Sequence, residues 1–570
     1  MYSYFKILFI LLPFVVNSQI KRENLSQKDF TYWDFKKTLL LSSGSYYVDK
    51  MGVTKDKHGE WIYYDKSGNV VEKSQYYRGV LDGKVVMYYS NGKLKQEGYF
   101  KKKKTEGLNT FTSFQDSIYR EWYETGALEE EGLFKNDRKV GIWKYYYLNG
   151  QIKSHEEEID SLVYIRNFWA CDSAHTQTIT NGTGEMLTFH TTSALKELYN
   201  YKNGLPDGPF EDHSIYGYIT LKGFFKEGKK DGEWNYYYYT GDLEKTSTYS
   251  KDVLNGPYKY YYDKNRLNVT GNYYDGKKSG LWKWYTNTNS LDMQGTFVND
   301  LQDGEWSYFY PTGEKSYIAY YTKGLKSGSW TYWYKDGSTF KKGDFLNDEK
   351  NGKWQTWYED GTLLMDGVYA LGKEEGEWLN YWDNGKLKNS VVFKAGLMNG
   401  EWKSFFPTGH LKMTGFYKSN FKSGKWTNYY DNGMPKDMVT YKVMEVESKV
   451  EYGIMKGRKV KESVLNGHSV SYSNKDYKMT EEGNYKNGQK DGEWKEYYPG
   501  GTVTAFVMNY QLGELHGSMR EYSRTGQLKS EANYSKGNKH GSFKVYDDNG
   551  KVIVEKTFDQ GEEVKISKFK

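Results

Sequence analysis

The sequence predicts an all-β protein: an elongated array of antiparallel β-hairpins with a 24-residue period, forming a continuous twisted single-layer meander sheet. Three observations carry that expectation. A ladder of glycines, Gly208, Gly232, Gly256, Gly280, Gly304, Gly328, Gly352, Gly376, Gly400 and Gly424, advances by 24 residues at each step. Between these glycines the apolar residues are spaced by two and four and are rich in aromatics, a strand pattern and not a helical one. Turn pairs such as Asp360-Gly361 and Asn384-Gly385 punctuate the runs at the same phase.

The ladder continues beyond its strict core. Gly184 extends it backwards by one step, with Met186 in the place tryptophan takes elsewhere. Gly59 and Gly83 keep the period, as do Gly517 and Gly541, whereas Gly467, Gly492 and Gly517 are 25 apart. Gly141 opens another copy, and Ser117–Leu128 is a copy without its leading glycine. In all, 19 copies are readable. The expected organisation is a leader at 1–19, an N-terminal cap at 20–58 and repeats at 59–150. A degenerate segment follows at 151–183, then repeats in strict register at 184–439 and a second degenerate segment at 440–466. Repeats and a C-terminal cap fill 467–570. A short insertion falls near Gly107–Gln115.

Counting the leading glycine as position 0, a large residue stands at position 2 and aromatics at 5 and 6. Glycine stands at 9, leucine at 11, often glycine at 15, and tyrosine or phenylalanine at 17. A two-residue turn at positions 8 and 9 makes cross-strand partners sum to 17. Trp282 then faces Gly295, Trp354 faces Gly367 and Trp402 faces Gly415, a ring laid over a cross-strand glycine. The same register sets position 6 against 11, as in Phe406 with Leu411. Where the turn reads Pro-Thr-Gly, at 311–313 and 407–409, a three-residue bulged turn is the alternative. The structural residues of the repeat are then Trp234, Trp282, Trp306, Trp330, Trp354, Trp378, Trp402, Trp426 and Trp494.

The unit G-x-W-x-x-Y-Y-x-x-G-x-L-x-x-x-G-x-Y-x-x-G resembles the MORN repeat, and looks still closer to bacterial YwqK-type repeats of the antitoxin group. The likeness covers roughly residues 59–560. It implies a scaffold, a protein-binding module or a lipid-binding surface, and the antitoxin relationship implies a toxin partner.

Composition narrows the function classes. Sixty glycines and 58 tyrosines accompany only eight prolines, and aromatics make up 18% of the chain, too many for disorder. The net charge is +6, with both signs interspersed and no long basic run beyond Lys101–Lys104. That balance excludes a nucleic-acid footprint and supplies no basic face for a membrane, although peripheral contact stays open. At the N-terminus, Lys6 and the apolar run Ile7–Val16 precede small polar residues, a signal-peptide pattern too short to span a bilayer. The chain is therefore expected to be exported, to the periplasm, the outer surface or the medium, without a transmembrane segment. The one cysteine, Cys171, excludes an internal disulfide.

No catalytic, metal or cofactor motif emerges. His58, His516 and His540 each precede a leading glycine and read as turn residues, as do Glu374 and Glu375; glycine-rich pieces such as Gly276–Gly280 recur as turns. Position 5 stands out. It has the opposite parity to position 2 yet is aromatic throughout the core: Tyr237, Tyr261, Tyr285, Phe309, Trp333, Trp357, Tyr381, Phe405 and Tyr429. Its expected cross-strand partners at position 12 are mostly polar, as in Glu244, Asn268, Asp292 and Lys388. This stripe is either internal packing or an extended docking surface. The reading is a non-enzymatic scaffold binding an unidentified protein. A carbohydrate of the cell envelope, or a toxin, is the alternative partner.

Overall fold

The computed structural model describes residues 25–108, 110–263, 266–447 and 459–569. The leader at 1–19, residues 20–24 of the N-terminal cap and residues 448–458 of the second degenerate segment lie outside the described residues. Among the described residues there are 46 strands and no helix, and the strands pair antiparallel in one open sheet. The chain divides into two compact units: 25–267 with 272–277, and 268–271 with 278–569. Within each unit, consecutive strands are hydrogen-bonded neighbours along nearly the whole chain.

One period of the second unit shows how sequence sets geometry. Strand Glu349–Trp357 pairs with Leu363–Ala370, placing Gly352 opposite Tyr369 and Trp354 opposite Gly367. The pairs Trp282 with Gly295 and Trp402 with Gly415 repeat this register. Near the turn the register shifts by one residue, between Thr356 and Trp357. The cause is the turn itself. Gly361 donates its N–H to the Tyr358 carbonyl at 3.0 Å, and Tyr358 donates to the Thr362 carbonyl at 2.8 Å. Gly361 has φ +85°. This is a type I turn closed by a left-handed glycine, the three-residue G1-bulge loop.

The two-residue turn expected at positions 8 and 9 is therefore corrected. The bulged loop occurs well beyond the two Pro-Thr-Gly turns, as at Gly337, Gly385 and Asn289. Two-residue turns with both φ positive do occur, but between repeats: Asn299-Asp300, Asn347-Asp348 and Ser419-Asn420. The extra residue also moves the partners. Tyr237, Tyr285, Tyr381 and Phe405 stand opposite Leu243, Leu291, Leu387 and Leu411, all at position 11, and not opposite position 12. Position 12 comes beside position 6 instead. Lys388 sits 4.5 Å from the Trp382 ring, and Phe340 meets Tyr334 at 5.0 Å.

The aromatic cover over glycine has a second correction. Each indole lies on the position-15 glycine of the preceding hairpin, not of its own. A Cβ built on Gly223, Gly271, Gly295, Gly343, Gly367, Gly415 or Gly483 would fall 2.0–2.3 Å from the ring of Trp234, Trp282, Trp306, Trp354, Trp378, Trp426 or Trp494 respectively. The sequence obeys this contact. Where position 15 is Ser74, Ser247, Met508 or Ala532, the next position 2 is Val85, Tyr258, Met519 or Phe543. Trp402 follows Val391 and stays half-buried, unlike the other eight structural tryptophans, which are buried. Ala319 is the one small exception and is itself fully buried, with Trp330 following it.

Around each indole the contacts repeat. The position-17 ring of the preceding hairpin meets it edge-on: Phe345 with Trp354 at 5.2 Å and 89°, Tyr369 with Trp378 at 4.8 Å and 87°. Such pairs add about 0.5–1.5 kcal/mol beyond area burial. A lysine two residues before the leading glycine caps the ring: Lys230, Lys350, Lys422 and Lys490 lie 4.3, 4.7, 4.4 and 3.9 Å from the Trp234, Trp354, Trp426 and Trp494 rings. Burial there pulls Lys230 below the ordinary lysine value. The indole N–H of Trp234, Trp306, Trp330, Trp354, Trp378 and Trp494 is satisfied by a carbonyl ten residues back, as in Trp306 to Thr296 at 3.2 Å and Trp354 to Asp344 at 3.0 Å, whereas that of Trp426 has no partner among the described residues.

Both long hairpins break the regular meander. Leu94–Lys104 pairs with Phe111–Gln115 and also, through Gln96 and Glu97, with Ser117–Trp122. Pro435–Glu447 likewise pairs with Lys459–Leu465 and, through Asp437 and Met438, with Gly467–Tyr472. The first degenerate segment contains the hairpin Ile152–Ile159 with Leu162–Trp169 and the short strand Gln177–Thr180.

Two stability outcomes follow from these contacts. Gly343→Ala forces the Trp354 ring off its seat and lowers unfolding free energy by about 1–3 kcal/mol, the cost of overpacking, in a urea titration followed by tryptophan fluorescence. Leu371, exposed at φ +48° on a two-residue turn, occupies a conformation that suits asparagine. Leu371→Asn therefore raises the thermal midpoint.

Candidate functional site

The position-5 residues Tyr237, Tyr261, Tyr285, Phe309, Trp333, Trp357, Tyr381, Phe405 and Tyr429 are all half-buried. Alternation places them on the face opposite the indoles, with positions 1, 3, 14 and 16. Leu243 lines a groove together with Tyr237, Asn235 and Glu233, so the G1 bulge delivers the position-11 side chain to this second face. Each unit carries its own run: Tyr237 and Tyr261 in the first, Tyr285 to Tyr429 in the second.

A row of hydrogen bonds holds the backbone of that stripe. The position-6 tip donates to the position-5 carbonyl of the next repeat. In the first unit Tyr123 reaches Tyr146 O at 2.9 Å, Tyr147 reaches Trp169 O at 2.7 Å and Tyr238 reaches Tyr261 O at 2.7 Å. In the second, Tyr310, Tyr334 and Tyr358 reach the carbonyls of Trp333, Trp357 and Tyr381 at 2.7, 2.9 and 3.2 Å. Trp382 replaces the hydroxyl with its indole N–H, donating to Phe405 O at 3.3 Å. Burial pushes the Tyr147 phenol up to about 12. Sequence reasoning placed position 6 opposite leucine and so missed this role; its recurrent Tyr or Trp, each with one polar tip, was the available signal.

The second face is zoned by charge. Three position-5 hydroxyls donate to a glutamate at position 14, or its equivalent, of the preceding repeat: Tyr146 to Glu131 at 3.0 Å, Tyr497 to Glu482 at 2.5 Å and Tyr546 to Glu531 at 2.7 Å. Burial first and the carboxylate second push these three phenols up to about 12. Arg120 and Lys144 pair with Glu131 in the same zone, and Lys84 pairs with Glu97. In the second unit the stripe is flanked by exposed apolar side chains on the same face: Leu281, Tyr320, Val368 and Phe416. These position-1 and position-16 residues carry the parity of position 14 and were legible only through it.

The histidines and carboxylates expected in turns lie in strands instead: His58 within Gly52–Tyr64, His516 within Glu514–Tyr522, His540 within Asn538–Tyr546, and Glu374 and Glu375 within Lys373–Tyr381, because the two-residue turn falls earlier, as at Leu371-Gly372. His58 is 2% exposed, packs between Tyr47 and Tyr77 and accepts the Arg78 N–H at 3.2 Å. Burial, then the neighbouring Arg78 and Lys102 charges, hold it below the ordinary histidine value. His540 lies 3.2 Å from Asp559, His516 is exposed, and the Glu375 carboxylate accepts the Ala395 N–H of the next turn at 2.7 Å. Cys171 is exposed. Among the described residues no group of three or more His, Cys, Asp or Glu side chains is placed to hold a metal ion, and no helix is long and apolar enough to cross a membrane.

The MORN repeat variant matches twelve segments: 57–76, 81–102, 115–136, 139–157, 302–323, 350–370, 374–395, 398–419, 422–442, 490–505, 515–536 and 539–560. The repeat is a MORN repeat. Each match covers the position-0 to position-17 core of one hairpin in full or in part. No curated protein matches the MORN-repeat chain in sequence. Among solved structures it is similar to the TcdB2-TccC3 assembly, at 12% identity and TM-score 0.13, covering 94% of this chain and 31% of that one. It is also similar to choline binding protein F from Streptococcus pneumoniae, at 15% identity and TM-score 0.11, covering 54% and 97%. The chain thus spans about a third of the length of the TcdB2-TccC3 chain.

Two measurements probe the site's supports. Tyr334→Phe removes one hydrogen bond to the stripe and costs about 0.5–1.5 kcal/mol, read as a lower urea midpoint. Because His58 titrates lower when folded than when unfolded, its contribution is complete above the unfolded value and is lost as pH falls below it. Unfolding free energy therefore drops between about pH 7.5 and pH 5, and His58→Gln removes that part of the drop.

Proposed function

We propose that this MORN-repeat protein is an exported, non-enzymatic scaffold that docks a partner protein on the second face of its sheet. The observation that carries the reading is the run Tyr285–Tyr429 in the second unit. Seven half-buried aromatics stand in phase there, flanked by the exposed Leu281, Tyr320, Val368 and Phe416. Clustered exposed apolar surface with a polar rim is the usual composition of an interaction site. The backbone beneath is already paired on both sides, so recognition must come from side chains and not from strand addition. Export rests on the leader pattern at 1–19. The narrower YwqK-type resemblance would make the partner a toxin, in which case the same face would carry the contact.

The deciding experiment is affinity capture from the envelope and culture medium of the source organism with mature protein. A Trp333→Ser, Trp357→Ser, Tyr381→Ser variant of verified fold serves as the second bait. The reading predicts a stoichiometric protein retained by the first bait and lost by the second, and reconstituted with purified components. Identical retention by both baits would overturn the assignment of this face.

A further inference from the structure

The first unit carries a groove on its second face that the aromatic run alone does not explain. It lies across strands Gly232–Tyr237, Leu243–Ser250 and Val253–Tyr261 and has a volume of about 460 Å³. That is within the range of small-ligand clefts, roughly 300–1,000 Å³. Tyr237 and Tyr261, at position 5 of successive repeats, supply aromatic walls, and Leu243 and Pro257 add apolar surface. The space exists because two side chains are short. Thr246 stands where other repeats have Gln294, Lys342 or Asp366, and Pro257 where others have Glu305 or Lys353.

The polar side of the groove is organised. Thr246 donates its hydroxyl to Asn235 Oδ1 at 2.8 Å, and Asn235 donates from Nδ2 to Glu233 Oε1 at 3.0 Å. This chain fixes the amide's orientation, leaving one amide N–H and the second carboxylate oxygen to face a ligand. Lys259 completes the lining and balances Glu233, so the groove is neutral overall.

We propose that this groove binds a neutral saccharide, one or two pyranose rings of a glycan. A pyranose has apolar C–H faces that lie on tyrosine rings and an edge of hydroxyls that both donate and accept. The groove presents that combination: tyrosines on the walls, and an amide, a carboxylate and an ammonium side by side. An anionic ligand would meet Glu233 with only one cation to offset it. A proline-rich peptide, the other frequent guest of tyrosine-lined grooves, offers mainly carbonyl acceptors and brings no donor to the second Glu233 carboxylate oxygen. Strand addition is excluded because the three strands are paired with one another.

The inference stands apart from the protein-docking reading, whose test residues lie in the other unit. Full-length mature protein is titrated calorimetrically with cello-, xylo-, malto- and chito-hexaose and with a proline-rich decapeptide, beside Asn235→Ala and Tyr261→Ala variants matched by circular dichroism. The expected result is saturable binding of at least one hexaose, weakened about tenfold by Asn235→Ala, the loss of a hydrogen bond in a desolvated site. Tyr261→Ala abolishes it, while Tyr429→Ala, on the same face of the other unit, does not. Binding of no hexaose, equal binding by the groove variants, or preference for the decapeptide would each overturn the proposal.

Discussion

The seating of each tryptophan on the glycine of the preceding hairpin is the contact on which the rest depends. It is a contact between repeats, so no hairpin can complete its own core. Gly343 has meaning only because Trp354 comes eleven residues later, on a strand of the next period. Once the indole is seated, its N–H is directed at the Asp344 carbonyl, its edge receives Phe345 and its face receives Lys350. Three interactions of different physical origin therefore share one steric condition, the missing Cβ. The weaker seat at Trp402, where Val391 replaces glycine, shows the condition failing in place: the ring remains partly exposed while the pairing of its strand is kept.

The bulged loop plays a different part. By inserting one residue per hairpin it uncouples the two faces near the turn. Upstream of the shift the strand alternates indole side and outer side; past it, the position-11 leucine joins the outer side next to the position-5 ring. The position-6 ring then finds room beside position 12 and reaches a carbonyl of the following repeat. An in-register two-residue turn would have placed leucine under the sheet's indole side and left the outer aromatics against Glu244, Asp292 and Lys388. The amphipathic character of the second face, apolar rings with apolar partners and a polar surround, thus originates in a turn that the side chains of that face never touch.

Much of this was legible in the sequence, for identifiable reasons. The glycine ladder and the period-two spacing fix an all-β repeat, and the sum rule that pairs Trp354 with Gly367 holds in the paired strands. What was not legible is non-local. Cross-strand arithmetic cannot say which of two neighbouring small residues a ring covers, because Trp306 is paired with both Gly295 and Ala319; only the direction in which the side chain leans decides. The turn type was misjudged because Asp-Gly and Asn-Gly suit a two-residue loop as well as the end of a bulged one. The groove at Tyr237 and Tyr261 depends on the smallness of Thr246 and Pro257, a signal carried by what is lacking at two positions.

The pairing of each indole with a glycine in the neighbouring copy also governs how such a chain can lengthen. A duplication of one whole period, wherever its ends fall, reproduces both halves of the joint, provided the copied segment ends in the residue class its new neighbour requires. Joining a copy that ends like Val391 to one that begins like Trp402 leaves a permanent misfit, and joining Met508 to Met519 does not. The array is therefore a set of compatible unions: its structural tryptophans other than Trp330 and Trp402 follow a glycine-ended copy, and Val85, Met519 and Phe543 stand where the preceding copy ends in Ser74, Met508 or Ala532.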